Sequence, residues 1–292
     1  MPKMTKTLLI DQPGALKNFV RDARDAPWLG LDTEFVRDRH YYAKPGLLQV
    51  ATPHCNALVD PVALDDLTPL AGLLCGTPMV KILHAARQDL ELFVQLFDCV
   101  PAPLYDTQVA AAMVDLAPQI GYAALAEELL GVEPGVALGR YNWLRRPLTA
   151  EAVAYAADDV EHLARLRGKL DERLAETRKA NAFAAAMREM EDPDRYRPQP
   201  ETVWKRIHQA RRLGEEPRER LKRLAAWREY QAMDENRPRQ WVLRDGVLVT
   251  LARLAPKTAA ELDEVRDLSD SARRRYGRAL LEALAPEASD SP

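Results

Sequence analysis

The stretch Trp28–Phe35, WLGLDTEF, decides the fold that we predict for this 292-residue chain. An apolar run leads into Asp32 and Glu34, and side chains two residues apart on an extended strand project to the same side. Two adjacent carboxylates at the end of a buried strand repel each other and are costly to desolvate, unless a cation lies between them. Oxygen ligands of this charge suit Mg²⁺ or Mn²⁺ rather than zinc or copper. Alone, an acidic strand end is more often a solvated turn.

Composition places the chain among globular proteins. It is 47% hydrophobic and 29% charged, and no apolar run approaches the length that spans a membrane. The N-terminal MPKMTKTLLI lacks the long apolar block of a signal peptide. Cys55, Cys75 and Cys99 are odd in number, widely spaced and in no metal-ligand pattern. We therefore expect reduced core thiols and a cytoplasmic location.

Charge is unevenly distributed along the chain. Residues 201–292 carry 19 Lys and Arg against 16 Asp and Glu, whereas the whole chain has a net charge of −3. An acidic first part with a mildly basic C-terminal part fits a polyanionic substrate that the C-terminal part helps to hold.

Two further acidic motifs follow the first. In LHAARQDLELF a predicted strand ends at His84, and a helix then carries Asp89 on its first turns, at the sheet edge where α/β proteins bind ligands. The alternative is that Asp89 is a surface residue favoured by the helix dipole. In LYDTQVAAAMV, Asp106 precedes Thr107 at a helix start, and N-capping is a sufficient explanation for it.

The last acidic motif is AEAVAYAADDV. Tyr155 and Asp159 are four residues apart on a predicted helix and share a face, whereas Asp158 is turned away. Thr149 caps this helix and sets its register. The hydroxyl and the carboxylate could reach one site together, and the alternative is an ordinary amphipathic helix with Tyr155 half-buried.

Hydrophobic patterning predicts an α/β fold followed by a helical region. Three antiparallel strands and later βα units predict a mixed sheet covered by helices. The three prolines of EDPDRYRPQP, at 191–200, indicate a linker. The pattern predicts three short strands, at Thr7–Ile10, Leu47–Ala51 and Ala57–Asp60. It also predicts a helix before the strand that ends at His84, a long helix and a first C-terminal helix: Leu64–Leu74, Ala150 to about Met190 and Val203–Leu213.

Taken together, these motifs resemble the ribonuclease D family, in the tyrosine-bearing subclass of DEDD 3′–5′ exonucleases. The matching segments span about residues 7–190, and RLAAWREYQAMDENRPRQWV further on resembles an HRDC domain. The resemblance implies an RNase H-like mixed sheet in an exonuclease domain at 1–190 and a linker at 191–200. It also implies an all-α HRDC-like nucleic-acid-binding domain at 201–286 and a disordered tail at 287–292. The segments that carry the exonuclease resemblance are LDTEFVRDRHYY, GLLQV, KILHAARQDLELF, LYDTQVAAAM, NWLRRPLT and YAADDV.

The resemblance also implies a site with two divalent cations, Mg²⁺ or Mn²⁺, held by Asp32, Glu34, Asp89 and Asp159. One ion would be shared among Asp32, Glu34 and Asp159, and the other would be held by Asp32, with Asp89 acting directly or through water. Tyr155 would orient the attacking water.

Several neighbouring residues are candidates for substrate contact. Thr33 and Phe35 flank the first two carboxylates, although their side chains alternate to the other strand face, which favours backbone contact. Tyr41 and Tyr42, with Arg37 and Arg39 nearby, could stack a base or could cover the edge of the core. His84 could touch the substrate, although a buried, hydrogen-bonded histidine is the more common arrangement. The basic residues between Lys205 and Arg223 alternate with glutamates, which is more typical of solvated surface than of RNA contact.

The function implied by the resemblance is a metal-dependent 3′–5′ exoribonuclease that releases nucleoside 5′-monophosphates. Transfer RNA precursors and single-stranded RNA 3′ ends are the expected substrates, with no membrane and no obligate protein partner. Two alternatives remain: the same chemistry on DNA, since no motif here detects the 2′-hydroxyl, and a non-catalytic RNA-binding protein on the same fold.

Overall fold

The chain forms two compact units. The computed structural model describes residues 6–135, 138 and 141–285. The first, the sheet unit, comprises the residues up to Val36 and Ala43–Arg197. The second, the helical unit, comprises Arg37–Tyr42 and the chain from Pro198 onward. The tail predicted to be disordered, 287–292, lies outside the described residues.

The sheet unit contains one six-stranded sheet with strands in the order β1-β4-β3-β2-β5-β6. Strands β2, β3 and β4 pair antiparallel, and the remaining pairs are parallel. The predicted mixed sheet is therefore confirmed, with one short strand, β6, that the sequence pattern did not reveal. The strands are β1 (Lys6–Ile10), β2 (Trp28–Val36), β3 (Lys44–Ala51), β4 (Cys55–Val59), β5 (Val80–Leu83) and β6 (Leu104–Asp106).

Eight described α-helices belong to the sheet unit. The helix predicted to run from Ala150 to about Met190 is three helices, because the chain bends at His162 and Arg178 adopts a left-handed φ of 57°. The helix predicted over Leu64–Leu74 begins only at Thr68. The helices are α1 (Pro13–Ala23), α2 (Thr68–Cys75), α3 (Arg87–Phe97), α4 (Thr107–Met113), α5 (Tyr122–Leu130), α6 (Ala150–Glu161), α7 (Leu163–Glu176) and α8 (Ala180–Met190).

Strand β2 lies inside the sheet and extends beyond its parallel neighbour. Leu29 and Leu31 are buried in the core, but β2 pairs with β5 only over Trp28–Gly30. The second half of β2 therefore borders an opening at the carboxyl end of β5. Gly30 allows close packing of α6 here, since a Cβ atom on it would lie 3.3 Å from the carbonyl oxygen of Val160.

The helical unit is built around a second apolar core. The first C-terminal helix predicted, over Val203–Leu213, is instead two 3₁₀ helices, Pro200–Arg206 and His208–Arg212. Tyr41 packs against this core and so explains why the short segment Arg37–Tyr42 groups with the helices. The described α-helices of this unit are α9 (Glu215–Asp234), α10 (Arg239–Val242), α11 (Asp245–Leu254), α12 (Ala259–Asp263) and α13 (Asp270–Leu284).

The basic residues near the start of α9 have structural contacts. Arg218 donates to the carbonyl oxygen of Leu213, Arg220 to that of Ala252, and Arg223 to those of Ala283 and Leu284. These guanidinium groups satisfy backbone acceptors within the helical unit.

The expectation of three reduced thiols is wrong for two of them. Cys75, at the end of α2, forms a disulfide with Cys99, just after α3, at a Cα–Cα distance of 6.4 Å. Their sequence separation of 24 hid this proximity in the sequence. Cys55 is free. In the part of the chain that the structure describes, every helix is too short or too polar to cross a membrane.

Candidate metal centre

Three carboxylates meet where β2 extends past β5. Asp32, Glu34 and Asp159 each offer an oxygen atom, and these oxygens lie within 4.8 Å of one another. The two residues of β2 share a strand face, and α6 brings Asp159 against them because Gly30 lets this helix approach the sheet. Two segments more than 120 residues apart thus supply one acidic cluster, which we call the carboxylate trio.

Asp89 is the fourth predicted ligand, and it lies beside the trio. Its charge raises the pKa of both Asp32 and Glu34, so its carboxylate is electrostatically coupled to theirs. Its Oδ1 accepts a hydrogen bond of 2.5 Å from the hydroxyl of Thr33. Thr33, which the sequence predicts as a backbone contact to substrate, thus uses its side chain to contact the fourth predicted ligand.

Burial and mutual repulsion hold protons on this cluster in the absence of a cation. Burial, followed by the charges of Asp89, Asp159 and Glu34, raises the pKa of Asp32 well above its ordinary value. Burial, followed by the charges of Asp159 and Asp89, raises the pKa of Glu34 to about 8. Burial raises the pKa values of Asp89 and Asp159 to about 7 each. At neutral pH, each of the four groups is therefore ionised less than an exposed carboxyl group would be.

Tyr155 lies on the same face of α6 as Asp159, and its phenol interacts with the Asp159 carboxylate. Burial, with the charges of Asp159 and Glu34, raises the pKa of Tyr155 above its ordinary value. The phenol therefore keeps its proton at neutral pH and cannot serve as a general base. Trp143 packs beside the ring of Tyr155, with the two ring centroids 6.2 Å apart.

Asp106 has the structural role that the sequence predicts. Its carboxylate accepts from the backbone N–H groups of Gln108 and Val109 and thereby caps α4. It also accepts from the N–H groups of Ala85 and Ala86, in the turn between β5 and α3. This second pair of bonds fixes the turn that precedes Asp89.

His84 is held inside the protein. Its Nδ1 lies 2.9 Å from the hydroxyl of Thr107, and its Nε2 lies 2.9 Å from the carbonyl oxygen of Ile120. Burial lowers the pKa of His84, so the ring is neutral at neutral pH. Because both ring nitrogens have protein partners, this geometry favours the structural alternative over substrate contact.

Phe35, Tyr41 and Tyr42, also predicted to contact substrate, make contacts within their own units. Phe35 packs against the core of the sheet unit. The Tyr41 hydroxyl donates to Glu229 at 2.5 Å, and the backbone N–H of Tyr42 donates to Asn236. For Tyr41, the alternative of covering a core edge describes these contacts better than base stacking.

Gln49 is a residue at the site that the motif search missed. It lies on β3 directly opposite Asp32, is fully buried, and its Nε2 donates to Asp32 Oδ2 at 3.4 Å. The sequence signal was an amide within the otherwise apolar run GLLQVA.

The donor set fits divalent cations. It is made of carboxylate oxygens whose protons a cation would displace, which is the ligand chemistry of Mg²⁺ and Mn²⁺. Asp32, Glu34 and Asp159 could together hold one such ion.

Comparison with known proteins identifies both parts of the chain. A family model described as 3′-5′ exonuclease matches residues 8–175, and an HRDC domain model matches residues 218–284. Ribonuclease D of Pseudomonas paraeruginosa is 38% identical over 286 residues, covering 96% of this chain and 74% of the relative. The crystal structure of Escherichia coli RNase D, described as an exoribonuclease involved in structured RNA processing, matches with a TM-score of 0.87 and 34% identity. That match covers 98% of this chain and 77% of the E. coli chain.

A more distant neighbour shares the fold alone. Brucella melitensis NrnC, solved with bound Mg²⁺, matches with a TM-score of 0.56 and 22% identity. The match covers 66% of this chain and 92% of that chain.

Proposed function

Because this chain belongs to the ribonuclease D family of 3′–5′ exonucleases, we propose that it hydrolyses RNA from the 3′ end at a two-metal site. Asp32, Glu34, Asp89 and Asp159 are the proposed ligands, and Tyr155 is the proposed residue that orients the attacking water. As a member of this family, the chain is a 3′–5′ exoribonuclease that uses divalent metal ions.

The observation that carries the residue assignment is the convergence of the carboxylate trio. Acids from β2 and α6 approach within 4.8 Å, and their pKa values are raised by burial and by one another. Such an arrangement costs stability in a protein with no use for it. Bound divalent cations would attract each carboxylate and so offset the repulsion among them.

The chemistry of the ions and of Tyr155 is complementary. When bound, two divalent ions lower the pKa of water and neutralise the charge that develops on the leaving oxygen of a phosphodiester. The Tyr155 phenol keeps its proton beside the Asp159 carboxylate, so it would position the attacking water rather than deprotonate it.

The finer substrate assignment also belongs to this proposal. The solved E. coli relative is described as an exoribonuclease that processes structured RNA. We extend this description to single-stranded 3′ ends, with transfer RNA precursors as the natural substrate, nucleoside 5′-monophosphates as products and the cytoplasm as the place of action. The HRDC domain match supports nucleic-acid contact in the helical unit.

The test is cleavage of one oligonucleotide sequence in RNA and in DNA form, each labelled at its 5′ end. With the full chain and Mn²⁺ or Mg²⁺, we expect stepwise shortening of the RNA from the 3′ end and nucleoside 5′-monophosphates among the products. Chelation of the metal should stop the reaction. A transfer RNA carrying a short 3′ trailer should be shortened to its mature end.

Two variants make this test specific to the site. Glu34→Gln removes one member of the carboxylate trio and should abolish cleavage, whereas Glu128→Gln changes an exposed acid on α5 and should leave the rate unchanged. Preferential cleavage of the DNA form would indicate a DNA exonuclease. RNA that is bound but left intact with Mn²⁺ would indicate a non-catalytic RNA-binding protein.

A further inference from the structure

Two buried donors contact two of the proposed metal ligands. Gln49 lies on β3, and Thr33 lies on β2 between Asp32 and Glu34. Both side chains are buried: Gln49 is 0% exposed and Thr33 is 7% exposed. Each has a polar group directed at one of the proposed metal ligands.

Gln49 is unusual for its position. Every residue of β3 from Gly46 to Ala51 is buried, and Gln49 is the polar side chain among them. Its Oε1 is buried without a hydrogen-bond partner, while its Nε2 donates to Asp32 Oδ2. A buried, unpaired polar atom destabilises the fold, so an apolar residue would serve the core better. The use of an amide here is accounted for by its contact with Asp32.

Thr33 contacts a second proposed ligand, Asp89. Its hydroxyl donates to Asp89 Oδ1 and so holds that oxygen. In the same way, the amide of Gln49 donates to Oδ2 of Asp32. A carboxylate with one oxygen fixed by a donor presents the other oxygen in one direction, which reduces the conformational entropy lost on metal binding.

We propose that Gln49 and Thr33 are positioning residues that aim Asp32 and Asp89 at the divalent ions. This inference rests on the proposed function, since it assigns these residues to the same metal centre. Partners that hydrogen bond to metal ligands typically change metal affinity by about 10- to 100-fold when they are removed.

The test measures Mn²⁺ binding to the full chain by titration calorimetry and by the electron paramagnetic resonance of free Mn²⁺, without RNA. Gln49→Met keeps the volume and removes the amide, and Thr33→Val keeps the shape and removes the hydroxyl. Each should weaken Mn²⁺ affinity about 10- to 100-fold. Gln49→Met should leave the melting temperature of the metal-free protein unchanged or higher, because the unpaired Oε1 is gone.

Two further variants separate positioning from general damage. Thr33→Ser keeps a hydroxyl at this position and should bind Mn²⁺ with the affinity of the parent. Thr52→Val removes a hydroxyl that bonds only within the turn between β3 and β4, so it should lower the melting temperature without changing Mn²⁺ affinity.

The outcomes distinguish this inference from the proposed function. Mn²⁺ affinity within twofold of the parent in folded Gln49→Met and Thr33→Val would overturn the positioning role and leave the proposed function intact. A parent chain that binds no Mn²⁺ would overturn the proposed function itself. If Gln49→Met does not fold, the Mn²⁺ affinities of Thr33→Val and Thr33→Ser decide the inference.

Discussion

Replacing Asp32 with asparagine should stabilise the metal-free protein at high pH while abolishing its activity. The oxygens of Asp32 lie within 4.8 Å of those of Glu34 and Asp159. At an effective dielectric constant of about 20, two unit charges at that distance repel by about 3.5 kcal/mol. Solvent and partial protonation of the neighbours reduce this figure, so we expect a net gain of about 1–2 kcal/mol at pH 8.5. For a unit of this size the gain corresponds to a rise in melting temperature of about 2–8 °C.

The assay is thermal unfolding in excess chelator at pH 5 and at pH 8.5. At pH 5 the neighbouring carboxyls, with pKa values of about 7 to 8, hold their protons, so Asp32→Asn should change the melting temperature little. Asp25→Asn, which alters an exposed acid after α1, controls for the loss of one negative charge. A fall of several degrees at pH 8.5 would refute the reasoning, because it would show that Asp32 stabilises the fold.

Three further outcomes follow from the same geometry. Asp89 and Asp159 have folded-state pKa values of about 7, above the ordinary value near 4, so the stability linked to their protonation is complete below about pH 4 and is lost as pH rises through 7. The stability of the metal-free protein should therefore fall from about pH 5 to about pH 8.5. Calorimetry at about pH 6.5 in buffers of different ionisation enthalpy should show proton release on Mn²⁺ binding, whereas buffer-independent heats would count against the raised pKa values. Asp106→Ala removes the acceptor of four backbone N–H groups and should lower the free energy of unfolding by about 3 kcal/mol, which corresponds to a fall in melting temperature of about 6–12 °C. A change under about 2 °C would mean that the cap is dispensable. Gly30→Ala places a methyl group 3.2–3.3 Å from its neighbours on β3, α6 and α7. It should lower the free energy of unfolding by about 1–3 kcal/mol and reduce kcat by displacing α6. A kcat equal to that of the parent would show that α6 tolerates the added methyl group.

The elements that carry the site were predictable because their sequence signals are local. The alternation of β2 placed Asp32 and Glu34 on one strand face, and helical spacing placed Tyr155 with Asp159. The structure brings Asp32, Glu34 and Asp159 together, as the combined motifs indicated. The role of Asp106 was also local, since an aspartate before a helix start is sufficient to predict a cap.

Features that depend on distant contacts were not predictable. Tyr41 and Glu229 are 188 residues apart, so no local pattern reports the bond that groups Arg37–Tyr42 with the helical unit. The disulfide between Cys75 and Cys99 depends on the packing of two helix ends. Strand β6 has only three residues, which is too short for a periodic signal.

The contact between Gln49 and Asp32 required the strand register. A buried amide in an apolar run is visible in the sequence, but its partner is set by the antiparallel pairing of β3 with β2. A shift of one residue would point Gln49 to the other face of the sheet.

The most direct test of the metal centre is anomalous diffraction from a crystal of the full chain soaked in Mn²⁺. We expect one anomalous peak among Asp32, Glu34 and Asp159 and a second between Asp32 and Asp89. Ordered carboxylates with no peak between them at saturating Mn²⁺, or peaks only at other sites, would contradict the two-metal account.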